Sequence, residues 1–217
     1  MSYTADKYGA NYVYPEVPLN VSVSDQVRTM LEVYTEGVRD ADDMLGRLRD
    51  YVAGREEPVV LVFFGDHLPY LGDNQLGYTE LGLSGDPLWD RLTSYATPYV
   101  IWANDAAAEA LDWETAAESL ELPDIPPALS ASFLGAAVLE LTGRADESAW
   151  FRFLNGLRRE TPVVQKKTYQ TLDGTYVRER DLDQWVPETG FDGQQIRDAV
   201  RQWRCWSYYH LRYKDVG

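Results

Sequence analysis

The sequence is poor in cysteine and in positive charge. Cys205 is the only cysteine among 217 residues, so no disulfide can form within the chain. Lysine and arginine number 20 against 35 aspartates and glutamates, which gives a net charge of −15. An acidic chain is poorly suited to binding nucleic acid through a basic patch, and we therefore expect no nucleic-acid partner.

Long apolar runs and histidines are also scarce. The longest apolar run, Val59 to Phe64, is far shorter than the ~20 residues that span a membrane. The first residues, Met1 to Asp6, contain neither a basic nor an apolar region. We therefore predict neither a transmembrane segment nor a signal peptide in this chain. His67 and His210 are the only histidines, so a Ser-His-Asp triad is poorly supported.

Apolar residues nevertheless make up 45% of the chain, enough for a hydrophobic core. A long amphipathic helix is predicted for about Asp25 to Ala53, where apolar residues recur at alternating spacings of four and three. Ser22 or Ser24 provides an N-cap, and Gly54 is placed to end the helix. The helix leads directly into the apolar run.

The apolar run and the two residues that follow Gly65 are the most informative stretch. A continuous apolar run predicts a strand buried on both faces, as in parallel sheets covered by helices. Ligands of open α/β sheets bind just beyond the carboxyl ends of the strands, which is where Asp66 and His67 stand. A carboxylate beside an imidazole can bind Mn²⁺ or Zn²⁺. We predict that both side chains are metal ligands facing one cleft; the alternative is that Asp66 caps a turn and His67 has no role.

Further elements follow from apolar spacing and turn residues. The Gly-rich segment Tyr70 to Asp90 is a candidate wall of the site, because long loops between strands are often functional. The predicted elements are a strand at Tyr99 to Ala103, a short helix through Leu111, helices from Ser130 to Gly143 and from about Glu147 to Arg159, a hairpin around Asp173-Gly174, and a final helix from about Asp192.

The stretch Phe64 to Pro69 resembles the Gly-Asp-His motif of the lipoteichoic acid synthase and phosphoglycerol transferase family. That family belongs to the sulfatase-like branch of the alkaline phosphatase superfamily. Thr97 to Asn104 resembles a later core strand of these proteins. Ser132 to Gly143 and Phe153 to Val163 resemble the helices that follow, in the same order. The likeness covers about Tyr3 to Tyr209.

The resemblance implies an α/β fold that forms the C-terminal portion of an alkaline phosphatase/sulfatase-like domain. Its sheet would be mostly parallel and flanked by helices, with a C-terminal hairpin and helix. Residues 1–160 would be the C-terminal part of the catalytic domain. Residues 161–217 would be the hairpin and an aromatic-rich helix packed on the same domain.

The resemblance also implies an activity. Family members are membrane-anchored enzymes with a catalytic domain on the extracytoplasmic face of the bacterial membrane. They transfer phosphoglycerol from a phosphatidylglycerol-like head group, through a threonine, to a glycan or glycerol hydroxyl. Mn²⁺ or Mg²⁺ assists this reaction, and adjacent Asp and His ligands carry over onto Asp66 and His67. Nitrogen ligation favours Mn²⁺ or Zn²⁺ over Mg²⁺.

Other family residues do not carry over. The threonine nucleophile and a metal-binding glutamate lie upstream in family members, and Met1-Ser2 stands where a substrate-binding histidine is expected. We therefore assign no catalytic residue and expect an incomplete metal site. The chain alone should be inactive and should need the missing N-terminal half of the domain as a partner. Two alternatives remain: a sulfatase-type hydrolase, and a non-catalytic binding domain that retains the fold.

Overall fold

The computed structural model describes residues 6–84, 93–120, 128–171, 173–186 and 190–212. The chain divides into two compact units, Met1–Ala106 and Ala107–Gly217. Helices and strands both contribute, and the predicted α/β class is confirmed. The division predicted at residue 160 stays a prediction.

The first unit is built on the long helix α1, Asp25–Ala53, whose bounds agree with the prediction. The Ser24 hydroxyl caps it by accepting a hydrogen bond of 3.3 Å from the Val27 backbone N–H. Val27 and Met30, on the first turns of α1, pack with Leu71 in a small apolar cluster. Farther along α1, two residues of the predicted apolar stripe, Val38 and Leu48, are exposed, whereas Val52 at its end is buried.

The strands β1, Val60–Phe64, and β2, Tyr99–Ala103, form a two-stranded sheet. They pair antiparallel, with Val60 opposite Ala103 and Phe64 opposite Tyr99. The expected parallel pairing is therefore wrong for these strands. The expectation of a strand buried on both faces is also wrong, since Val60 to Phe63 are half-buried and Phe64 is 53% exposed. An apolar run predicts that a strand forms. The direction in which that strand pairs and the extent of its burial depend on segments that are distant in sequence.

Asn104 joins the end of β2 to the connection between α1 and β1. The residue is buried. Its side-chain oxygen accepts from the Val59 N–H at 3.0 Å. Its amide N–H₂ donates to three carbonyls at 2.9–3.3 Å, those of Val52, Arg55 and Glu57. This one side chain thus hydrogen-bonds four backbone groups around the connection, of which the Val52 carbonyl also accepts from the Arg55 N–H at 3.1 Å.

Replacing Asn104 by alanine should lower the free energy of unfolding by about 1–3 kcal/mol, because it removes four hydrogen bonds in buried or partly buried surroundings. Urea denaturation followed by circular dichroism would measure the change. Asn20→Ala is the matched control, since Asn20 is exposed in the same unit. Equal stability of the two variants would contradict the role assigned to Asn104.

The second unit contains a three-stranded antiparallel sheet and several helices. Its strands are β3, Val163–Val164, β4, Thr168–Gln170, and β5, Tyr176–Arg178, in that order across the sheet. The predicted hairpin at Asp173-Gly174 is confirmed between β4 and β5. A core that includes Phe133, Leu154 and Ile196 joins the sheet to the longer helices. The first unit also contains α2, Leu76–Glu80. The remaining helices are α3, Asp105–Leu111; α4, Trp113–Glu118; α5, Ala131–Leu141; α6, Ala149–Glu160; and α7, Gly193–Arg212.

A buried ion pair links α5 to α6. The Arg158 side chain has no exposed surface, and its Nη2 lies 2.6 Å from Glu140 Oε2. Arg158 also donates to the Leu120 carbonyl and, at 3.3 Å, to Asn155 Oδ1. Arg159 binds the other carboxylate oxygen of Glu140. A single carboxylate therefore binds two guanidinium groups, one through each of its oxygens.

Among the described helices, none combines the length and apolar character needed to cross a membrane.

Candidate functional site

The residues after β1 are positioned by the start of β2. The Gly65 backbone N–H donates to the Pro98 carbonyl at 3.0 Å, and the Thr97 hydroxyl donates to the Gly65 carbonyl at 2.7 Å. A Cβ atom at residue 65 would lie 3.0 Å from the Thr97 Cβ, closer than side chains normally approach. Glycine therefore permits the close contact that fixes where Asp66 and His67 leave the strand.

Asp66 and His67 lie side by side at this strand end. The Asp66 Oδ1 accepts a hydrogen bond of 2.9 Å from the His67 backbone N–H, as in a turn cap. The other oxygen, Oδ2, lies 3.6 Å from His67 Nε2. The side chains are 82% and 77% exposed, respectively, so both are accessible to a ligand. The cap interpretation and the metal interpretation are compatible, because each uses a different oxygen.

The tautomer of His67 is set by its neighbour. Its Nδ1 lies 2.8 Å from the Leu68 carbonyl oxygen, which can only accept a hydrogen bond. Nδ1 therefore carries the proton, and in the neutral imidazole Nε2 has the free lone pair. Histidine ligands commonly donate their second ring N–H to a backbone carbonyl in this way. The nitrogen next to Asp66 is thus the one able to bind a cation.

The spacing of the two atoms fits a shared metal ion. Two ligands about 2.1 Å from one ion are about 3.0–3.4 Å apart at angles of 90–110°. The observed 3.6 Å between Asp66 Oδ2 and His67 Nε2 needs only a small side-chain adjustment. Within the described ranges, no group of three or more His, Cys, Asp or Glu side chains surrounds a common point. The assignment of Asp66 and His67 as metal ligands stays a prediction.

The loop predicted as a wall is held against the same segment. The Tyr78 hydroxyl donates to the Pro69 carbonyl at 2.7 Å, and the Gly77 N–H donates to the Leu71 carbonyl at 2.8 Å. The Tyr70 hydroxyl donates to Asp73, and this hydrogen bond raises the pKa of the Tyr70 phenol. Residues 85–92 of the predicted wall lie outside the described part of the chain.

Sequence reasoning missed the supporting residues Thr97 and Leu68. Thr97 carried a usable signal: it stands next to Pro98 at the start of β2, and the antiparallel register continued past Phe64 and Tyr99 places Pro98 opposite Gly65, with Thr97 as the next residue. No sequence signal pointed to the Leu68 carbonyl, because every residue has a carbonyl group. Only the local geometry makes this one the partner of His67 Nδ1.

The fold and the exposed Asp–His pair define an α/β protein with a candidate metal-ligand pair at a strand end. The chain belongs to the sulfatase family, whose model, described as Sulfatase, matches residues 5–143. Proteins of this family generally use a metal ion.

A putative cyclic beta-1,2-glucan modification protein of Rhizobium meliloti (strain 1021) is 33% identical over 107 residues. The alignment covers 47% of this chain and 16% of that relative, so the chain spans only a small share of its length. No solved structure matches the chain significantly.

Proposed function

We propose that this chain contributes the metal-ligating pair of a phosphoglycerol transferase of the lipoteichoic acid synthase type, acting in cell-envelope polymer synthesis. The observation that carries the proposal is the placement of Asp66 Oδ2 and His67 Nε2, 3.6 Å apart, within the family-matched residues. The preferred ion is Mn²⁺, with Mg²⁺ or Zn²⁺ as alternatives, because the pair combines oxygen and nitrogen donors.

The charge of the pair suits a phosphodiester substrate. A divalent metal ion carries a charge of about +2, of which the Asp66 carboxylate neutralises one unit and the neutral His67 imidazole none. One positive charge then remains to attract a phosphate anion. When bound, the metal would neutralise that phosphate and activate a threonine hydroxyl of the full-length protein. The Leu68 carbonyl accepts from His67 Nδ1–H, so Nε2 is the nitrogen with the lone pair in the neutral imidazole, and the His67 backbone N–H orients the Asp66 carboxylate.

The substrates follow from the same proposal. The donor is a phosphatidylglycerol-like head group, and the acceptor is a hydroxyl of a glycan or of glycerol. The name of the Rhizobium meliloti relative supports a glucan as the acceptor. The full-length protein would act on the extracytoplasmic face of the bacterial membrane. It would need the N-terminal half of the domain, because no catalytic nucleophile is assigned within this chain.

Two other functions have some support. The family description favours a sulfatase-type hydrolase. Only two candidate ligands converge among the described residues, which favours a non-catalytic binding domain that retains the fold.

Ligand binding by the purified chain tests these possibilities. Glycerophosphoglycerol, the soluble head group, should bind measurably by calorimetry in the presence of Mn²⁺ and not in EDTA. The Asp66→Ala variant should lose this Mn²⁺-dependent binding, whereas Asp42→Ala, which removes an exposed carboxylate on α1, should keep it. Stronger binding of methyl sulfate would favour the hydrolase, and binding of neither anion would favour the non-catalytic domain.

Turnover is a separate measurement. With fluorescent phosphatidylglycerol and Mn²⁺, the chain alone should show no transfer. Transfer that disappears in Asp66→Ala would show that the chain contains its own nucleophile and would contradict the expected inactivity.

A further inference from the structure

A groove of about 550 Å³ lies in the second unit, beside β5. Its size is within the ~300–1,000 Å³ typical of small-molecule sites. The groove lies beyond residue 143, where the family match ends, so family membership assigns it no role. The lining residues come from β5, from the 3₁₀-helix Glu179–Gln184 and from the next residue: Tyr176, Val177, Arg178, Asp181, Gln184 and Trp185.

The 3₁₀-helix that forms one wall is fixed to α7. Arg197, on α7, donates to the Glu179 carbonyl at 3.2 Å and to Asp183 Oδ1 at 2.8 Å. A Cβ atom at Gly193 would overlap the Leu182 carbonyl, so only glycine lets α7 begin this close to the wall. The wall is therefore held in place before any ligand arrives, which lowers the entropic cost of binding.

Several polar groups at the groove have no partner. The Arg178 guanidinium and the Gln184 amide make no hydrogen bond or ion pair within the described part of the chain. The Trp185 indole N–H is buried and also lacks a hydrogen-bond acceptor there. Buried polar groups are normally satisfied, and an unsatisfied one costs free energy that a bound ligand or water can recover. The Arg178 and Gln184 donors are accessible to a hydroxyl-rich molecule, whereas the Trp185 N–H is buried.

The lining suits a sugar ring better than an anion. The rings of Tyr176 and Trp185 offer apolar faces with polar edges, which match the C–H face and hydroxyl edge of a pyranose. Planar guanidinium, amide and carboxylate groups can bind neighbouring hydroxyls in pairs. Arg178 and Asp181 have opposite charges, so their sum favours a neutral ligand. Asp181 also lies 3.5 Å from Arg180, which is largely exposed.

We propose that this groove is a binding site for a neutral saccharide. It does not depend on the Asp66–His67 pair or on the function proposed for that pair. Its ligand is recognised by ring stacking on Tyr176 and Trp185 and by hydrogen bonds from Arg178 and Gln184.

Calorimetric titration of the full chain in EDTA tests the site without any metal. Maltoheptaose and laminariheptaose serve as neutral probes of two linkages, and glycerol phosphate serves as the anionic probe. At least one neutral oligomer should bind, and Tyr176→Ala should weaken that binding about 3–10-fold by removing a stacking ring. Gln184→Ala changes an exposed side chain and should weaken it as well.

Tyr208→Ala is the matched control, because Tyr208 is an exposed tyrosine of the same unit that does not line the groove. The proposal fails if neither oligomer binds, or if Tyr176→Ala and Gln184→Ala both bind as the unaltered chain does. It also fails if glycerol phosphate is the only probe that binds and the Arg178→Met variant no longer binds it. Any of these results would leave Mn²⁺-dependent binding of glycerophosphoglycerol unaffected, so the two proposals fail separately.

Discussion

Replacing Glu140 by alanine should lower the free energy of unfolding by about 3–5 kcal/mol, the usual cost of removing one partner of a buried ion pair. The large effect is expected because Arg158 has no exposed surface. Without the carboxylate, its charge stays buried, and the Leu120 carbonyl and the Asn155 amide are neutral groups that cannot balance it. Urea denaturation followed by circular dichroism would measure the loss.

The control variants separate charge from packing. Glu114→Ala removes an exposed helical glutamate of the same unit and should change stability little. The double variant Glu140→Leu, Arg158→Met replaces the pair by apolar side chains and should be more stable than Glu140→Ala, because the fully buried guanidinium is also removed and the Arg159 side chain, 39% exposed, is solvated by water. A Glu140→Ala protein as stable as Glu114→Ala would contradict the assigned role.

The long helix α1 was predictable because its signals are local. The apolar spacing, the Ser24 cap and the Gly54 end all lie within the helix or beside it, and they agree with each other. The buried Arg158 was not predictable, since arginine usually faces solvent and its carboxylate partner lies on another helix. The same holds for Asn104, whose four hydrogen bonds go to residues 45 or more positions away.

Strand pairing shows the same division between local and distant information. Composition identified β1 and β2, and turn residues located their ends. Their antiparallel register depends on how the chain returns from Gly65 to Thr97, and the sequence pattern of either strand fits both directions.

The candidate site was predictable to the extent that its ligands are adjacent. Asp66 and His67 are neighbours in sequence directly after a strand, so their proximity needed no knowledge of the fold. The proton position on His67 did need it, because the Leu68 carbonyl selects the tautomer by its orientation.

Mn²⁺ binding should weaken about 10–100-fold in either Asp66→Ala or His67→Ala, because loss of a direct ligand costs at least as much as loss of a supporting group. The two atoms 3.6 Å apart would share one ion, so each alanine leaves a single protein ligand. Electron paramagnetic resonance of free Mn²⁺ during a titration measures the affinity directly, without any substrate. Asp66→Asn should bind more weakly than the unaltered chain, since it keeps the shape but removes the negative charge.

Matched controls make this measurement specific to the pair. His210→Ala removes the other histidine of the chain, and Asp42→Ala removes an exposed carboxylate of the same unit as Asp66. Both controls should bind Mn²⁺ as the unaltered chain does. If Mn²⁺ affinity were the same in Asp66→Ala, His67→Ala and the controls, the ion would be held by the general negative charge of −15 rather than by this pair. Loss of affinity in the two site variants alone would instead establish Asp66 and His67 as its ligands.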